Sequence, residues 1–328
     1  MVRRPGAAAF ARRVRGERGR GRGLVPPIRL AASALVSLVV SGATPARAAR
    51  VERPDWTARL EAIGASELFP DDSLAGPDRG LRSTLDVSRS LRVGSVVKLG
   101  FDAQAGGELY RRFEEARYGW LGGSVSARRG GTQLVVDGEW TPRRVKFPAQ
   151  PEDAAFRRLE GHVGIRQSLP LRLRLRLEGR YTHDDYVAAW DARDERTPDL
   201  FGQVSWSPSA ALTIRAEAER EHAGAAAARY THSDHAGGGS VSWRGSAWRA
   251  EGAVHSGLRR YTDALPRESN YRRRDQWITT TASIGRRLGT GVTLVLGGAV
   301  TDQTSSRPDR AYNVQSFRLG LEWSPAGE

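Results

Sequence analysis

The sequence predicts an all-β protein, an antiparallel up-and-down β-barrel of about fourteen strands that crosses a membrane. Residues 171–181 read LRLRLRLEGRY, with leucine on one face of a strand and arginine or glutamate on the other. Such period-two alternation indicates a strand with one apolar and one charged face. Similar alternation recurs about a dozen times, in segments near the length that a tilted strand needs to cross a bilayer.

The composition of the 328 residues fits a barrel better than a helical membrane protein. Only 39% of the residues are hydrophobic, and beyond the N-terminus no apolar run reaches the length of a spanning helix. A barrel explains this low value because half of each strand can be polar. There is no cysteine, which excludes a disulfide framework, thiolate metal sites, a cysteine nucleophile and covalently attached c-type haem. No cofactor is predicted.

Residues 1–48 are predicted to be a cleaved secretory signal peptide with a basic n-region. Of the formal net charge of +14, this segment contributes +9 (ten arginines and one glutamate), and the rest of the chain contributes +5. The basic block runs into a short apolar core that begins at Leu30 and then into Ala46-Arg47-Ala48, a small-x-small cleavage site. We therefore predict cleavage after Ala48 and no nucleic-acid partner. The alternative is an anchor that stays attached.

The predicted strands come in pairs, with a short turn inside each pair and a longer polar loop between pairs. Gly, Pro and Ser occupy the short turns, as hairpins require. The predicted strands are 81–89, 93–104, 117–128, 132–141, 157–168, 171–183, 198–207, 211–221, 235–244, 247–260, 276–287, 291–302 and 311–323.

This count is thirteen, and bacterial single-chain barrels have an even number of strands. The missing strand is predicted at 55–64, where Trp56 and Leu60 alternate with Arg59 and Glu61. This gives an N-terminal segment over 49–80, a barrel over 81–323 and a tail over 324–328. If 55–64 were instead a short helix or plug, the barrel would have twelve strands.

The last strand, YNVQSFRLGLEW, places Phe317, Leu319, Leu321 and Trp323 on one face. This resembles the C-terminal signal of bacterial outer-membrane β-barrel proteins, porin-like proteins among them. The resemblance implies an integral outer-membrane location, with periplasmic short turns and external long loops. It also implies recognition by the barrel-assembly machinery, and outer-membrane lipid and lipopolysaccharide as neighbours. The sequence departs from the pattern in that residues 324–328 follow the terminal aromatic residue.

Aromatic residues lie near the ends of the predicted strands, where membrane barrels carry girdles at the two membrane–water interfaces. In 117–128 the aromatic residues and Val125 differ in parity, and in 276–287 Trp277 competes with Ile278 for the apolar face; a bulge would account for either. The predicted girdle consists of Tyr118, Trp120, Trp140, Tyr181, Trp206, Trp243, Trp248, Trp277 and Trp323.

Charged residues share the polar parity of their strands and are predicted to face the lumen. One interpretation is a hydrated pore that filters solutes by size and charge. The other is a salt-bridged, plugged interior that serves only stability. The predicted pore-lining residues are Lys98, Asp137, Glu139, Glu160, Arg166, Arg172, Arg174, Arg176, Glu178, Arg215, Glu217, Glu219, Arg249 and Glu251.

Within this set, Arg172, Arg174, Arg176 and Arg180 form a basic ladder along one wall. Their guanidinium groups could bind anionic solutes or sugars through bidentate contacts. Glutamates on the neighbouring strands offer internal ion pairing instead. Both interpretations stay open at the level of sequence.

A repeated tetrad near the external rim contains the remaining candidate residues for metal binding or catalysis. Residues 180–185, RYTHDD, resemble residues 229–234, RYTHSD. His183, Asp185, His232 and Asp234 are weak candidates for a divalent metal site. A His–Asp pair facing a carboxylate pair would alternatively activate water, an arrangement similar to that of omptin-type surface proteases. The plain alternative is a girdle tyrosine followed by solvated loop residues.

The favoured function is a non-enzymatic, porin-like channel for small polar or charged solutes. The alternative is a structural, secretion or conduit barrel that works with a periplasmic partner. A surface hydrolase using the rim His and Asp residues is the third hypothesis. No oligomeric state is predicted.

Overall fold

A computed structural model describes residues 50–51, 55–65, 77–93, 97–111, 118–145, 155–262, 272–307 and 310–324. The signal peptide predicted over 1–48 and residues 325–328 of the predicted tail lie outside the described residues. Across these ranges, no helix is both long and apolar enough to cross a membrane.

The described chain is almost entirely strand, interrupted by three short 3-10 turns in the connections. The strands are β1 (Arg50–Val51), β2 (Asp55–Ala65), β3 (Asp78–Val93), β4 (Val97–Tyr110), β5 (Tyr118–Arg129), β6 (Thr132–Val145), β7 (Ala155–Ser168), β8 (Leu173–Tyr186), β9 (Glu195–Trp206), β10 (Leu212–Ala225), β11 (His232–Arg244), β12 (Trp248–Tyr261), β13 (Arg274–Gly289), β14 (Val292–Ser305) and β15 (Tyr312–Trp323).

Strands β2 to β15 form a closed barrel of fourteen antiparallel strands. Each strand pairs with its neighbours in sequence, and β15 pairs with β2 to close the sheet, with Trp323 opposite Ala58. The two-residue strand β1 pairs with the end of β3 that extends beyond β2. The count of fourteen is therefore confirmed, and so is a strand in the segment 55–64.

The two faces of the barrel differ in the way that the alternation predicts. Large apolar side chains point outward, as in Leu121, Leu177 and Leu200, which are 56%, 58% and 62% exposed. The polar parity points inward, where charged residues such as Glu178 and Asp275 are 2% and 1% exposed. A globular protein would hide the leucines and expose the charges. This inversion is what a barrel needs when its outside meets lipid and its inside meets water or ion pairs.

Several predicted strand boundaries are wrong. The first hairpin turns between Val93 and Val97, not at residues 90–92, and β4 continues to Tyr110 through the start of a predicted loop. Strands β6, β8 and β10 also extend beyond their predicted ends at the long-loop side, to Val145, Tyr186 and Ala225. At these ends small residues or adjacent charged residues interrupt the alternation that marks a strand, as Gly106-Gly107 does in β4 and Asp184-Asp185 in β8.

The opening residues of the alternating 171–181 stretch form a turn and not a strand. Leu171 and Arg172 both have positive φ, 58° and 60°, and the Leu173 N–H bonds to the Pro170 carbonyl across them. Leu171 is 81% exposed. The predicted strand start at 171 is therefore wrong, because Leu171 and Arg172 are the two central residues of the tight turn that closes the β7–β8 hairpin, where a left-handed backbone matches the twist of the strands.

Candidate functional site: the lumen and its rim

A cavity of about 1180 Å³ lies inside the barrel and reaches the β7–β8 and β9–β10 turns. Its lining comes from each of the fourteen barrel strands or from a turn next to one, so it is the lumen and not a pocket between two strands. We call it the central cavity.

The structure places thirteen of the fourteen predicted pore-lining residues on the lumen-facing side of their strands. The remaining one, Arg172, lies in the β7–β8 turn, so its place in a strand-borne ladder is wrong, although it still borders the central cavity. The thirteen are Lys98, Asp137, Glu139, Glu160, Arg166, Arg174, Arg176, Glu178, Arg215, Glu217, Glu219, Arg249 and Glu251.

Two arginines of the basic ladder on β8 form internal ion pairs. Arg176 and Arg180 lie two residues before and two residues after the buried Glu178, and both bond to its carboxylate. The Arg176 Nη2 donates to Glu178 Oε2 at 2.7 Å, and the Arg180 Nε donates to the same oxygen at 3.4 Å. Arg180 also lies 3.4 Å from Asp199 on β9. Within the described chain, Arg174 forms no ion pair, so it keeps its charge free for the lumen.

The central cavity carries an excess of positive charge. Among the residues that the structure describes, its lining contains nine arginines, five glutamates, and no lysine or aspartate. Five of the arginines form ion pairs with glutamates. In the described ranges the other four, Arg144, Arg172, Arg174 and Arg244, lack a carboxylate partner; the Arg144 guanidinium lies over the Tyr118 ring. The five that form ion pairs are Arg59, Arg82, Arg215, Arg249 and Arg318.

One carboxylate, that of Glu322, links the seam between the first and last barrel strands to a third strand. Glu322 on β15 accepts a hydrogen bond from Arg59 Nε on β2 at 2.9 Å. It also accepts a bidentate pair from Arg249 on β12, with both bonds at 3.0 Å. Bidentate charge-assisted bonds are among the stronger polar contacts in proteins. Glu322 therefore ties together three strands that are far apart in sequence.

The aromatic residues predicted to form a girdle do not all face the same side of the wall. Trp140, Trp206, Trp243 and Trp248 face outward near strand ends and are 43–47% exposed. Tyr181 and Trp323 share the outward parity of their strands. Trp56 at the start of β2, which was not assigned to the girdle, is also outward and 42% exposed.

Tyr118, Trp120 and Trp277 point into the lumen instead, so their girdle assignment is wrong. Tyr118 and Trp120 line the central cavity. No bulge shifts the pairing of β5 with β4, and the Trp120 ring covers Gly106 on the neighbouring strand. The Trp277 ring likewise covers Gly257 on β12. Each inward ring thus fills the space that the opposite glycine leaves, a device that stabilises glycine in sheets.

The His–Asp pairs of the two rim tetrads point to opposite faces of the wall. His183 and Asp185 point outward, where Asp185 pairs with Arg157 and the His183 Nδ1 lies 3.2 Å from the Glu195 carbonyl oxygen. His232 and Asp234 point inward and are each 6% exposed. The four residues therefore do not meet in one site, and the geometry proposed for water activation does not form among them.

The inward pair gains a partner that the sequence did not single out, Glu221. Its carboxylate lies directly across from Asp234 in the β10–β11 register. One ligand atom from each of Glu221, His232 and Asp234 lies within 4.8 Å of the other two. Counting strand parity from Arg215 along β10 would have placed Glu221 inward, but its cross-strand pairing needed the register of β11.

The connection between β8 and β9 carries one perturbed carboxyl group. Asp194 accepts a hydrogen bond from the Tyr186 backbone N–H at 2.8 Å. Burial raises the pKa of Asp194, and the negative charges of Asp185 and Asp191 raise it further, while the Tyr186 bond opposes them.

Comparisons of the sequence with known proteins find no match, whereas comparison of the structure identifies the fold. No protein-family model and no curated protein sequence matches the chain. Among solved structures, OmpT of Vibrio cholerae, expressed in the outer membrane, is 7% identical with a TM-score of 0.50 over 86% of this chain and 99% of that one. The chain has the fold of an outer-membrane β-barrel.

Two other solved barrels are similar at lower scores. An anion-selective porin from Comamonas acidovorans is 11% identical, with a TM-score of 0.45 over 84% of this chain and 100% of that one. The outer-membrane channel DcaP of Acinetobacter baumannii is 12% identical, with a TM-score of 0.47 over 84% of this chain and 97% of that one.

Proposed function

We propose that this outer-membrane barrel is a water-filled channel that passes small polar solutes and prefers anions. The observation that supports the proposal is the central cavity, which runs against every strand and carries four arginines without carboxylate partners among the described residues. A lumen that served only stability would pair its charges, because unpaired charges contribute repulsion and no ion-pair energy. Unpaired charges facing water instead attract ions of the opposite sign.

The proposed setting is the outer membrane of a Gram-negative cell. In this proposal the signal peptide is removed on export, and the barrel-assembly machinery reads the last strand. The short turns face the periplasm, and lipid and lipopolysaccharide cover the apolar outer face. Exposed leucines and outward tryptophans support this setting, because a lipid belt flanked by interfacial tryptophans accounts for both.

Conductance of the purified, folded protein in a planar bilayer tests the proposal. We expect single-channel steps and, under a KCl gradient, a reversal potential of the sign that reports chloride preference. Heat-modifiable migration on a semi-native gel identifies preparations in which the barrel is folded. Folded protein without conductance would overturn the channel and favour a barrel that works with a periplasmic partner. Conductance with cation preference would overturn only the selectivity.

A further inference from the structure

The lumen near the long-loop end contains a smaller recess of about 330 Å³ that differs from the central cavity in its chemistry. We call it the rim recess. Among the described residues its charged lining is four carboxylates and one guanidinium, and since arginines pair with three of the carboxylates, the excess of negative charge lies at Glu221. The charged lining residues are Glu219, Glu221, Asp234, Asp275 and Arg259. His232 lies beside it, two residues before Asp234 on the same face of β11.

We propose that Glu221, His232 and Asp234 bind one divalent transition-metal ion of the zinc type. This inference does not depend on the channel proposed above, since it concerns the wall of the barrel and not passage through it. A histidine nitrogen with two carboxylate oxygens is a donor set that suits Zn²⁺ and other late first-row divalent ions.

The hydrogen bond at one nitrogen of His232 fixes the role of the other. The His232 Nδ1 lies 2.9 Å from the Tyr230 carbonyl oxygen. A carbonyl only accepts, so Nδ1 carries the proton, and in the neutral ring Nε2 presents a lone pair. This is the arrangement of metal-ligating histidines, whose second nitrogen commonly donates to a carbonyl or carboxylate. The Tyr230 carbonyl is held by the 3-10 turn Ala228–Tyr230, which connects β10 to β11.

The free nitrogen points at two negative groups without bonding to either. The His232 Nε2 lies 3.8 Å from Glu221 Oε1 and 3.9 Å from Asp234 Oδ1, beyond hydrogen-bond distance. Its side chain is only 7% exposed, and no other described group offers it a hydrogen bond. Three electron-rich atoms that converge without a shared proton are explained by a cation between them. Two ligands at tetrahedral Zn²⁺ are about 3.4 Å apart, so each His232 distance must shorten by about half an ångström, and the two carboxylate atoms, within 4.8 Å of each other, by at most about 1.4 Å.

The surroundings of the two carboxylates also suit metal binding. Asp234 accepts hydrogen bonds from Arg259, with Nη2 2.6 Å from Oδ2, which fixes its orientation and still leaves lone pairs on Oδ1. Glu221 has no arginine partner in the described ranges, and its side chain is 25% exposed to the lumen. Three protein ligands with one side open to the lumen leave a coordination position for water or a solute.

Titration calorimetry of ZnCl₂ into the detergent-folded, full-length protein tests the site. We expect one Zn²⁺ per chain, and affinity at least tenfold weaker in His232→Ala and in Glu221→Gln. The matched control is His235→Ala, an outward histidine on the same strand, which should bind as the wild type does. With Co²⁺ as the probe, a visible absorption band should appear in the wild type and disappear in His232→Ala.

A wild type that does not bind Zn²⁺ would overturn the proposal. So would variants at both His232 and Glu221 that bind as tightly as the wild type, or a loss of binding that follows His235→Ala instead. If His232→Ala did not fold, as judged by heat-modifiable migration, Glu221→Gln would still decide, because the amide keeps the shape of the side chain. Conductance plays no part in these measurements, so failure of the metal site and failure of the channel are distinguishable.

Discussion

The central cavity and the rim recess are built from the same strands but end with opposite surplus charge. In the central cavity nine arginines meet five glutamates, whereas in the rim recess four carboxylates meet one arginine. Each region contains tight ion pairs, so the presence of charged residues does not distinguish them. What distinguishes them is the charge that remains after pairing. The described interior of this barrel therefore contains a cavity with four arginines that lack carboxylate partners and a recess in which Glu221 lacks an arginine partner.

The largest expected effect comes from removing the arginine of the rim recess. Arg259→Gln leaves the buried Asp234 without its cation, and breaking a buried pair from one side should lower the free energy of unfolding by about 3 kcal/mol. Arg174→Gln, in the central cavity, removes a charge that has no described partner and should change it by less than about 0.5 kcal/mol. Urea unfolding followed by tryptophan fluorescence, with EDTA present, measures both. Equal losses in the two variants would refute the contrast between the regions.

A second pair of substitutions tests a feature that the two regions share. An added Cβ at Gly257 would collide with the Trp277 ring in the rim recess, and one at Gly106 would collide with the Trp120 ring in the central cavity. Each glycine-to-alanine change should cost about 2 kcal/mol of unfolding free energy. Gly252→Ala is the control, since its nearest neighbour would be 3.9 Å away. If it cost as much as the other two, intrinsic glycine effects and not ring packing would explain the loss.

Reversing one charge in the central cavity tests whether its surplus of positive charge sets ion selectivity. Arg174→Glu changes two units of charge beside the proposed solute path, worth about 1 kcal/mol in a wet lumen, and should lower the anion-to-cation permeability ratio about fivefold. Reversal potentials in a salt gradient measure this ratio. Arg220→Glu makes the same change on the outer face of β10 and should leave the ratio unchanged. An unaltered ratio in Arg174→Glu would remove this residue from the selectivity mechanism.

The smallest expected effect lies in the β7–β8 turn that borders the central cavity. Leu171→Gly relieves a left-handed backbone conformation, worth about 1–2 kcal/mol, at an entropic cost of about 0.5–1 kcal/mol. The net gain in unfolding free energy should be about 0.5 kcal/mol. Leu169→Gly, where the backbone is extended, should lose stability instead. Urea midpoints of the two variants should therefore shift in opposite directions.

Period-two alternation was enough to predict the barrel and the lumen-facing charges, because lipid and water select opposite faces of each strand. It failed where a local rule outweighed alternation. The β7–β8 hairpin needs a tight turn, and Leu171 and Arg172 form it with a left-handed backbone although their sequence continues the alternation. The inward position of Trp120 could have been recognised from Ser124 and Ser126, two serines that share its parity on β5.

The repeated tetrads show why the candidate metal site could not be assembled from sequence. In the first copy the chain stays in strand β8, so Arg180 faces inward and His183, three residues on, faces outward. In the second copy Arg229 and Tyr230 belong to a 3-10 turn, which resets the parity and turns His232 inward. Identical letters thus reach opposite faces, and only the turn geometry distinguishes them.

Glu322 has a consequence for the order of assembly. Its bonds to Arg59 and Arg249 join the beginning, the later part and the end of the barrel sequence. None of the three strands can make this contact with its immediate hairpin partner alone. The Arg249 pair can form once β12 to β15 are assembled, whereas the Arg59 bond forms only when the opening and closing edges of the curled sheet meet, so that bond favours completion of the cylinder.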